Sequence, residues 1–396
     1  MQETWRWFGP QDPISLRQIS QAGATGIVSA LDHIPTGEAW PEADIFERKQ
    51  LIEDAGLVWS VVESVPVHNA IKSRSDSFER MIENYKTSLT NLGRAGVKTV
   101  CYNFMPVVDW TRTNLDFELP NKSTALRFEM ADFAAYDLYV LEREGSEQSY
   151  SPDTLERAQK RFKSMTDEEV GALERNIIAG LPGGEGSYDR SSIKTAIQRF
   201  ARFSNEEYRA NLFAFLEEVI PVAEQAGIVM AIHPDDPPFS LFGLPRVVST
   251  AEDVRLLTNK INSVANGITM CAGSFGARSD NDLVAMVREF SERIYFVHLR
   301  NVKREDDGSF IEAEHLDGDN DMLGLIDALL GEEMRRHQDD NSIQRTIPMR
   351  PDHGHTMDTD RAAKSNRPGY AYAGRMRGLA ELRGAIYAVK RLRYAQ

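Results

Sequence analysis

Cysteine is nearly absent: Cys101 and Cys271 are the only two in a chain of 396 residues. Two thiols cannot staple a chain of this size. Their scarcity fits a reducing compartment, where a thiol stays free for metal binding or chemistry. Long apolar runs are missing as well. No window approaches the ~20 residues that cross a bilayer, and the opening Met1-Gln2-Glu3-Thr4-Trp5-Arg6-Trp7-Phe8-Gly9 lacks the basic-then-apolar order of a secretion signal. The expectation is a soluble, cytoplasmic protein. Positive charge is in deficit, with 46 Lys and Arg against 60 Asp and Glu and a net charge of -14. Such a surface repels nucleic-acid phosphates and anionic lipid, so neither is an expected partner. A small anionic substrate stays admissible, because a local group of arginines can reverse the field inside a pocket. No Gly-x-Gly-x-x-Gly follows an early apolar run, which weakens a nucleotide-binding reading.

What the chain does have is a succession of short, β-branched or aromatic runs. They are Trp5 to Phe8, Gly26 to Leu31, Val58 to Glu63, Thr99 to Phe104, Ile228 to His233, Gly267 to Cys271, Ile294 to Leu299 and Ile347 to His353. Near-continuous hydrophobicity over so few residues is the pattern of strands buried on both faces of a parallel sheet. Helix-prone segments separate them: Ser15 to Ala22, Glu47 to Ala55, Phe78 to Ala95 and Glu206 to Ala226. Gly23, Gly56, Gly96 and Gly227 stand where helices would end. Eight strands alternating with helices predict an α/β fold, a closed (β/α)8 TIM barrel formed by residues 1–396 as one domain.

One interval breaks the rhythm. Residues 111–204, after the fourth strand, are charged and read as a helical insertion, with Thr124 to Glu144 and Pro152 to Ile178 as its helices. Gly180 to Gly186 is a loop by composition. The insertion is read as a lid or a contact between copies in a homo-oligomer, with a decorative surface excursion as the alternative.

Four late strands end in groups that bind metals: His233, Cys271, His298 and Asp352. In a TIM barrel the C-terminal strand ends converge on one mouth. Two imidazoles, a thiolate and a carboxylate brought there suffice to hold a divalent cation. Each alone has a plainer reading, as a hydrogen-bonded His, an inert buried Cys or a helix cap. Four at equivalent positions are harder to explain that way. Arg300 and Asn301 follow His298, and Arg350 precedes Asp352 by two, which keeps it on the same side of its strand. Arginine suits bidentate capture of a carboxylate, so these three are candidate substrate contacts. His68 and Asn103, after the third and fourth strands, are candidates as well. Cys101 is expected to be a core residue of the fourth strand.

The Trp5-Arg6-Trp7-Phe8-Gly9-Pro10 opening resembles that of the mannonate dehydratases. So do His233-Pro234-Asp235-Asp236-Pro237-Pro238, Met349-Arg350-Pro351-Asp352-His353-Gly354-His355 and Arg367-Pro368-Gly369-Tyr370. The resemblance spans essentially the whole chain. It implies a xylose-isomerase-like barrel that dehydrates D-mannonate to 2-keto-3-deoxy-D-gluconate with Mn2+ or Fe2+. It further implies His233, Cys271, His298 and Asp352 as ligands, and His353 and Tyr370 as proton-transfer residues. Trp7, inside the opening motif, joins the expected substrate contacts. Tyr370 is preferred to Tyr372 on the Pro-Gly-Tyr match alone.

Competing readings are a related sugar-acid dehydratase or a sugar isomerase or epimerase on the same barrel. A neutral aldose would give the arginines no role. A metal phosphodiesterase would want a basic groove that a charge of -14 does not supply. A catalytically dead binding protein is the remaining alternative.

Overall fold

The computed structural model describes residues 1–178, 188–361 and 367–394. Eight strands, Gln2–Arg6, Gly26–Ser29, Val58–Glu63, Thr99–Tyr102, Val229–Ile232, Asn266–Cys271, Ile294–His298 and Pro348–Arg350, close into a parallel barrel. They are strands one to eight below. Each pairs with its neighbours in chain order, and strand one closes on strand eight through Gln2↔Pro348 and Glu3↔Met349. The expected TIM barrel is therefore what forms. Its interior holds Val28, Val61, Cys101, Val229, Ala231, Tyr295 and Phe296, all nearly inaccessible. Cys101 belongs to this core, and burial pushes its thiol well above the ordinary value.

The outer helices follow from local sequence. Phe78–Arg94 buries Met81, Ile82, Tyr85, Leu89 and Leu92, a three-and-four spacing that makes one apolar stripe. Asn205–Ala226 starts with a reciprocal cap between Ser204 and Glu207 and ends at Gly227, whose φ of 67° is costly for any residue with a Cβ. Strand one lies earlier than Trp5 to Phe8. Its polar start, Gln2 and Glu3, pairs with strand eight, and Phe8 lies past its end in the mouth. Among the described residues no helix is long and apolar enough to cross a membrane.

The segment after strand four is not all helical. Asn114–Glu118 and Thr124–Phe128 form a hairpin. They join Val302–Arg304 and Phe310–Glu312, from the loop after strand seven, in a four-stranded antiparallel sheet. Thr124 to Phe128 was expected to begin a helix. It pairs instead because Thr124, Ala125, Leu126 and Phe128 are all buried against the rest of the sheet, where Phe128 stacks on Phe310 at 5.7 Å. Helices follow at Met130–Ala135, Pro152–Ser164, Asp167–Ile178 and Arg190–Phe200. The expected loop at Gly180 to Gly186 lies outside the described residues.

Candidate active site

Strands five, six and seven deliver His233, Cys271 and His298 to the barrel mouth. Cys271 is in register with His298, so the two stand at one level. One ligand atom from each of the three residues lies within 4.8 Å of the others. The two imidazole rings are 5.1 Å apart. His298 is fully buried, and its Nδ1 has no hydrogen-bond partner among the described residues. A buried, unsatisfied ring nitrogen beside a thiol and a second imidazole fits a cation.

Charge within the cluster agrees with that fit. Burial opposes ionisation of Cys271, but Arg300, then His233 and His298, outweigh it and hold the thiol well below its ordinary value. For His233 burial alone would disfavour the cation. The adjacent Cys271 thiolate, with Glu63 and Asp236, reverses this and pushes the imidazole up to about 9.

Asp352 stands beside the cluster rather than in it. Its Oδ2 is 3.7 Å from His298 Nδ1. The residue adopts φ 66°, a left-handed conformation that Asp tolerates better than most and that costs free energy elsewhere. Arg300 Nη1 donates to its Oδ2 at 3.0 Å, and Arg350 Nη1 is 2.5 Å from Oδ1.

A cavity opens above the cluster, and His233 reaches its wall. Arg300, Arg350, Asn103, Asp352, His353 and Tyr370 all line it. His353 Nδ1 lies 3.3 Å from the Glu312 carboxylate, and Tyr370 packs edge-on against the His353 ring at 5.1 Å. At Tyr370 burial outweighs the nearby Arg350, and the phenol is pushed up to about 12, so it keeps its proton. Tyr372 points elsewhere, donating to the Gln18 carbonyl at 3.0 Å.

Three expected contacts lie outside the cavity. Trp7 is buried with Arg48 over its ring at 5.3 Å; strand alternation sends Arg6 and Phe8, its neighbours, into the mouth. His68 caps the helix Asn69–Ser73 by accepting from Ala70 N at 3.0 Å, beside Gly37 and Met81. Asn301 donates to the His315 and Asn320 carbonyls, and its Oδ1 accepts from Val302 and Asn320 N–H groups. Its amide is spent on tying the loop after strand seven.

Four charged residues were missed. Glu63 closes strand three, 3.3 Å from His298 Nε2 and paired with Arg350 at 2.8 Å. Burial favours its neutral form, but Arg350 and then His298 overcome this and keep it ionised. Asp236 accepts from Arg112 at 2.8 Å and from Arg300 at 2.7 Å. Arg112, wholly buried, also donates to Glu312 at 2.8 Å. The terminal position of Glu63 in its run was a usable signal. Glu312 had none, since its strand belongs to a sheet assembled from distant segments.

The comparisons agree with one another. A family model described as D-mannonate dehydratase (UxuA) matches residues 1–396. A mannonate dehydratase from Saccharophagus degradans is 63% identical over 390 residues, covering 98% of each chain. Mannonate dehydratase 2 from Agrobacterium fabrum is 55% identical, covering 99% of this chain and 98% of its own. The crystal structure of mannonate dehydratase from Streptococcus suis serotype2 superposes with a TM-score of 0.77 at 35% identity, covering 99% of this chain and 94% of its own.

Proposed function

The chain belongs to the D-mannonate dehydratase family, and from that premise we propose how its residues remove water from the sugar acid. The reaction takes D-mannonate to 2-keto-3-deoxy-D-gluconate: a proton leaves C2, hydroxide leaves C3 as water, and the enol becomes the ketone. His233, Cys271 and His298 hold a divalent cation, with Asp352 completing the set from 3.7 Å beyond His298 Nδ1. The cation, when bound, stabilises negative charge developing on the substrate. Its identity as Mn2+ or Fe2+ rests on the family resemblance, since nitrogen and sulfur donors alone also suit other borderline ions.

His353 takes the C2 proton. Glu312, 3.3 Å from Nδ1, holds a proton on that nitrogen and leaves Nε2 with its lone pair free. Tyr370, protonated with a value of about 12, gives its proton to the departing C3 hydroxyl. The Arg300 and Arg350 guanidiniums hold Asp352, Asp236 and Glu63 ionised and fixed at the mouth.

The observation that carries the reading is the convergence of two imidazoles and a thiolate within 4.8 Å, beside a cavity lined by His353 and Tyr370. A keto-acid assay on a panel of aldonates and neutral aldoses tests it. D-Mannonate should give a 2-keto-3-deoxy acid, and aldoses should be inert. Interconversion of aldoses without any keto acid would identify an isomerase instead.

A further inference from the structure

We propose that Arg6, rather than Arg300 or Arg350, binds the substrate carboxylate. This rests on the dehydratase reading above and refines it.

Three arginines line the mouth: Arg6, Arg300 and Arg350. Two are committed to the chain's own acids. Arg300 donates to Asp236 at 2.7 Å and to Asp352 at 3.0 Å, with Glu312 3.3 Å from its Nε. Arg350 donates from Nη2 to Glu63 at 3.0 Å, its Nε stands 3.1 Å from His298 Nε2, and its Nη1 stands 2.5 Å from Asp352. A substrate anion approaching either one meets carboxylates that already neutralise it, and they repel it.

Arg6 is different. Among the described residues its only ion pair is with Asp32, at 3.8 Å from Nη2, beyond hydrogen-bond reach, while Glu63 feels its charge without pairing with it. Nη1 donates to the Trp7 carbonyl at 3.3 Å. The rest of a five-donor fork remains for the cavity that Arg6 lines. Fork geometry matches a carboxylate, and a charge-assisted pair there is among the stronger polar contacts available.

Its location matches the reaction. The proton leaves C2 and the hydroxyl leaves C3, one and two bonds from the carboxylate carbon, so a carboxylate anchor must adjoin the proton-moving residues. Arg6 lies over the Phe8 ring at 4.5 Å. Phe8 meets Tyr370 edge-on at 5.1 Å, and Tyr370 meets His353 at 5.1 Å. Arg367 lies over the same Phe8 ring at 4.1 Å. Phe8 thus joins Arg6 to the proton-moving pair through ring contacts. In the closed ring of strands, strand one lies opposite strand five, which carries His233. A carboxylate on Arg6 therefore leaves the sugar chain spanning the mouth between that anchor and the imidazole–thiolate cluster.

The test compares metal-loaded wild type, Arg6→Met and Arg6→Lys. The measurements are KM and kcat for D-mannonate, inhibition by D-mannonamide (the uncharged amide of the substrate), and metal content. Arg6→Met should raise KM about tenfold to a hundredfold, the scale of one lost charged hydrogen-bonding partner. Metal content and the inhibition constant of the amide should stay within about twofold, because neither depends on the substrate's charge. Arg6→Lys should recover part of the loss, keeping charge without the fork. An unchanged KM in Arg6→Met, or an equal weakening of mannonate and amide, overturns the assignment. Should Arg6→Met fail to fold, Arg6→Lys carries the same comparison, with a raised KM and an unchanged amide constant required. Wild type inactive on D-mannonate would reject the dehydratase reading itself, and the Arg6 assignment with it.

Discussion

Tyr370 and Cys271 meet the same burial with opposite results. The phenol has Arg350 near it but also Asp352 and Glu63, so burial prevails and the proton stays. The thiol faces Arg300 and two imidazoles, so the proton leaves. Tyr370→Phe should keep the fold and the metal and lower turnover by about a hundredfold, the usual scale for a general acid. Tyr372→Phe should stay near wild type, because its hydroxyl is spent on the Gln18 carbonyl; steady-state rates with circular dichroism decide the pair. Cys271→Ser should fold and lose most bound metal by elemental analysis, while Cys101→Ser should keep it. Equal loss from both would undo this division of the two thiols. At this scale the strand-end histidines and Cys271 were legible because a parallel barrel converts "last residue of a strand" into "at the mouth". Trp7 falls outside the cavity, and the strand phase that places it there was not legible: a one-residue shift exchanges the inward and outward sets. Asn301 and His68 fall outside it on backbone groups, which polar residues after a strand also have to satisfy.

Among the elements, the antiparallel sheet shapes the mouth most. Its strand Phe310–Glu312 carries the carboxylate that holds His353 Nδ1, and Arg112, at the entry to the insertion, bridges Glu312 to Asp236. Arg112→Met should leave these two buried carboxylates short of a partner and cost about 3 kcal/mol, the scale of breaking a buried ion pair. Denaturant unfolding monitored by tryptophan fluorescence checks this; a midpoint equal to wild type would contradict it. The barrel strands could be read because each is a local hydrophobic run. The small sheet could not, because its partners are 182 and 184 residues apart where the two hairpins meet, at Phe128↔Phe310 and Arg127↔Ile311. Local signals existed nonetheless: Pro120-Asn121 between Asn114–Glu118 and Thr124–Phe128, and Asp307-Gly308 between Val302–Arg304 and Phe310–Glu312, are turn dipeptides. Charge density in the interval masked them behind a helical reading.

The whole molecule carries excess negative charge, yet its mouth concentrates ion pairs that are stable only while the carboxylates are ionised. Glu312 is the clearest case. Burial favours its neutral form, but Arg300, His353 and Arg112 bring it down to about 2 from an ordinary 4.5. The folded chain therefore binds that proton more weakly than the unfolded chain. The stabilisation is complete above pH 4.5 and is lost as pH falls towards 2. Asp236, lowered despite burial by Arg112 and Arg300, acts in the same direction. Thermal melts should lose stability steeply below pH 4.5, and Glu312→Gln should lose less over that interval than wild type; parallel curves would show that this site does not govern acid unfolding. Catalysis depends above all on a cation at His233, Cys271 and His298. The most direct test strips the protein with a chelator and titrates Mn2+ or Fe2+ back while following keto-acid formation from D-mannonate. Turnover should vanish on stripping and return in proportion to bound metal, saturating at one ion per chain, with His298→Ala showing neither tight binding nor recovery. Undiminished turnover in fully stripped protein, or full metal binding and activity in His298→Ala, would contradict it.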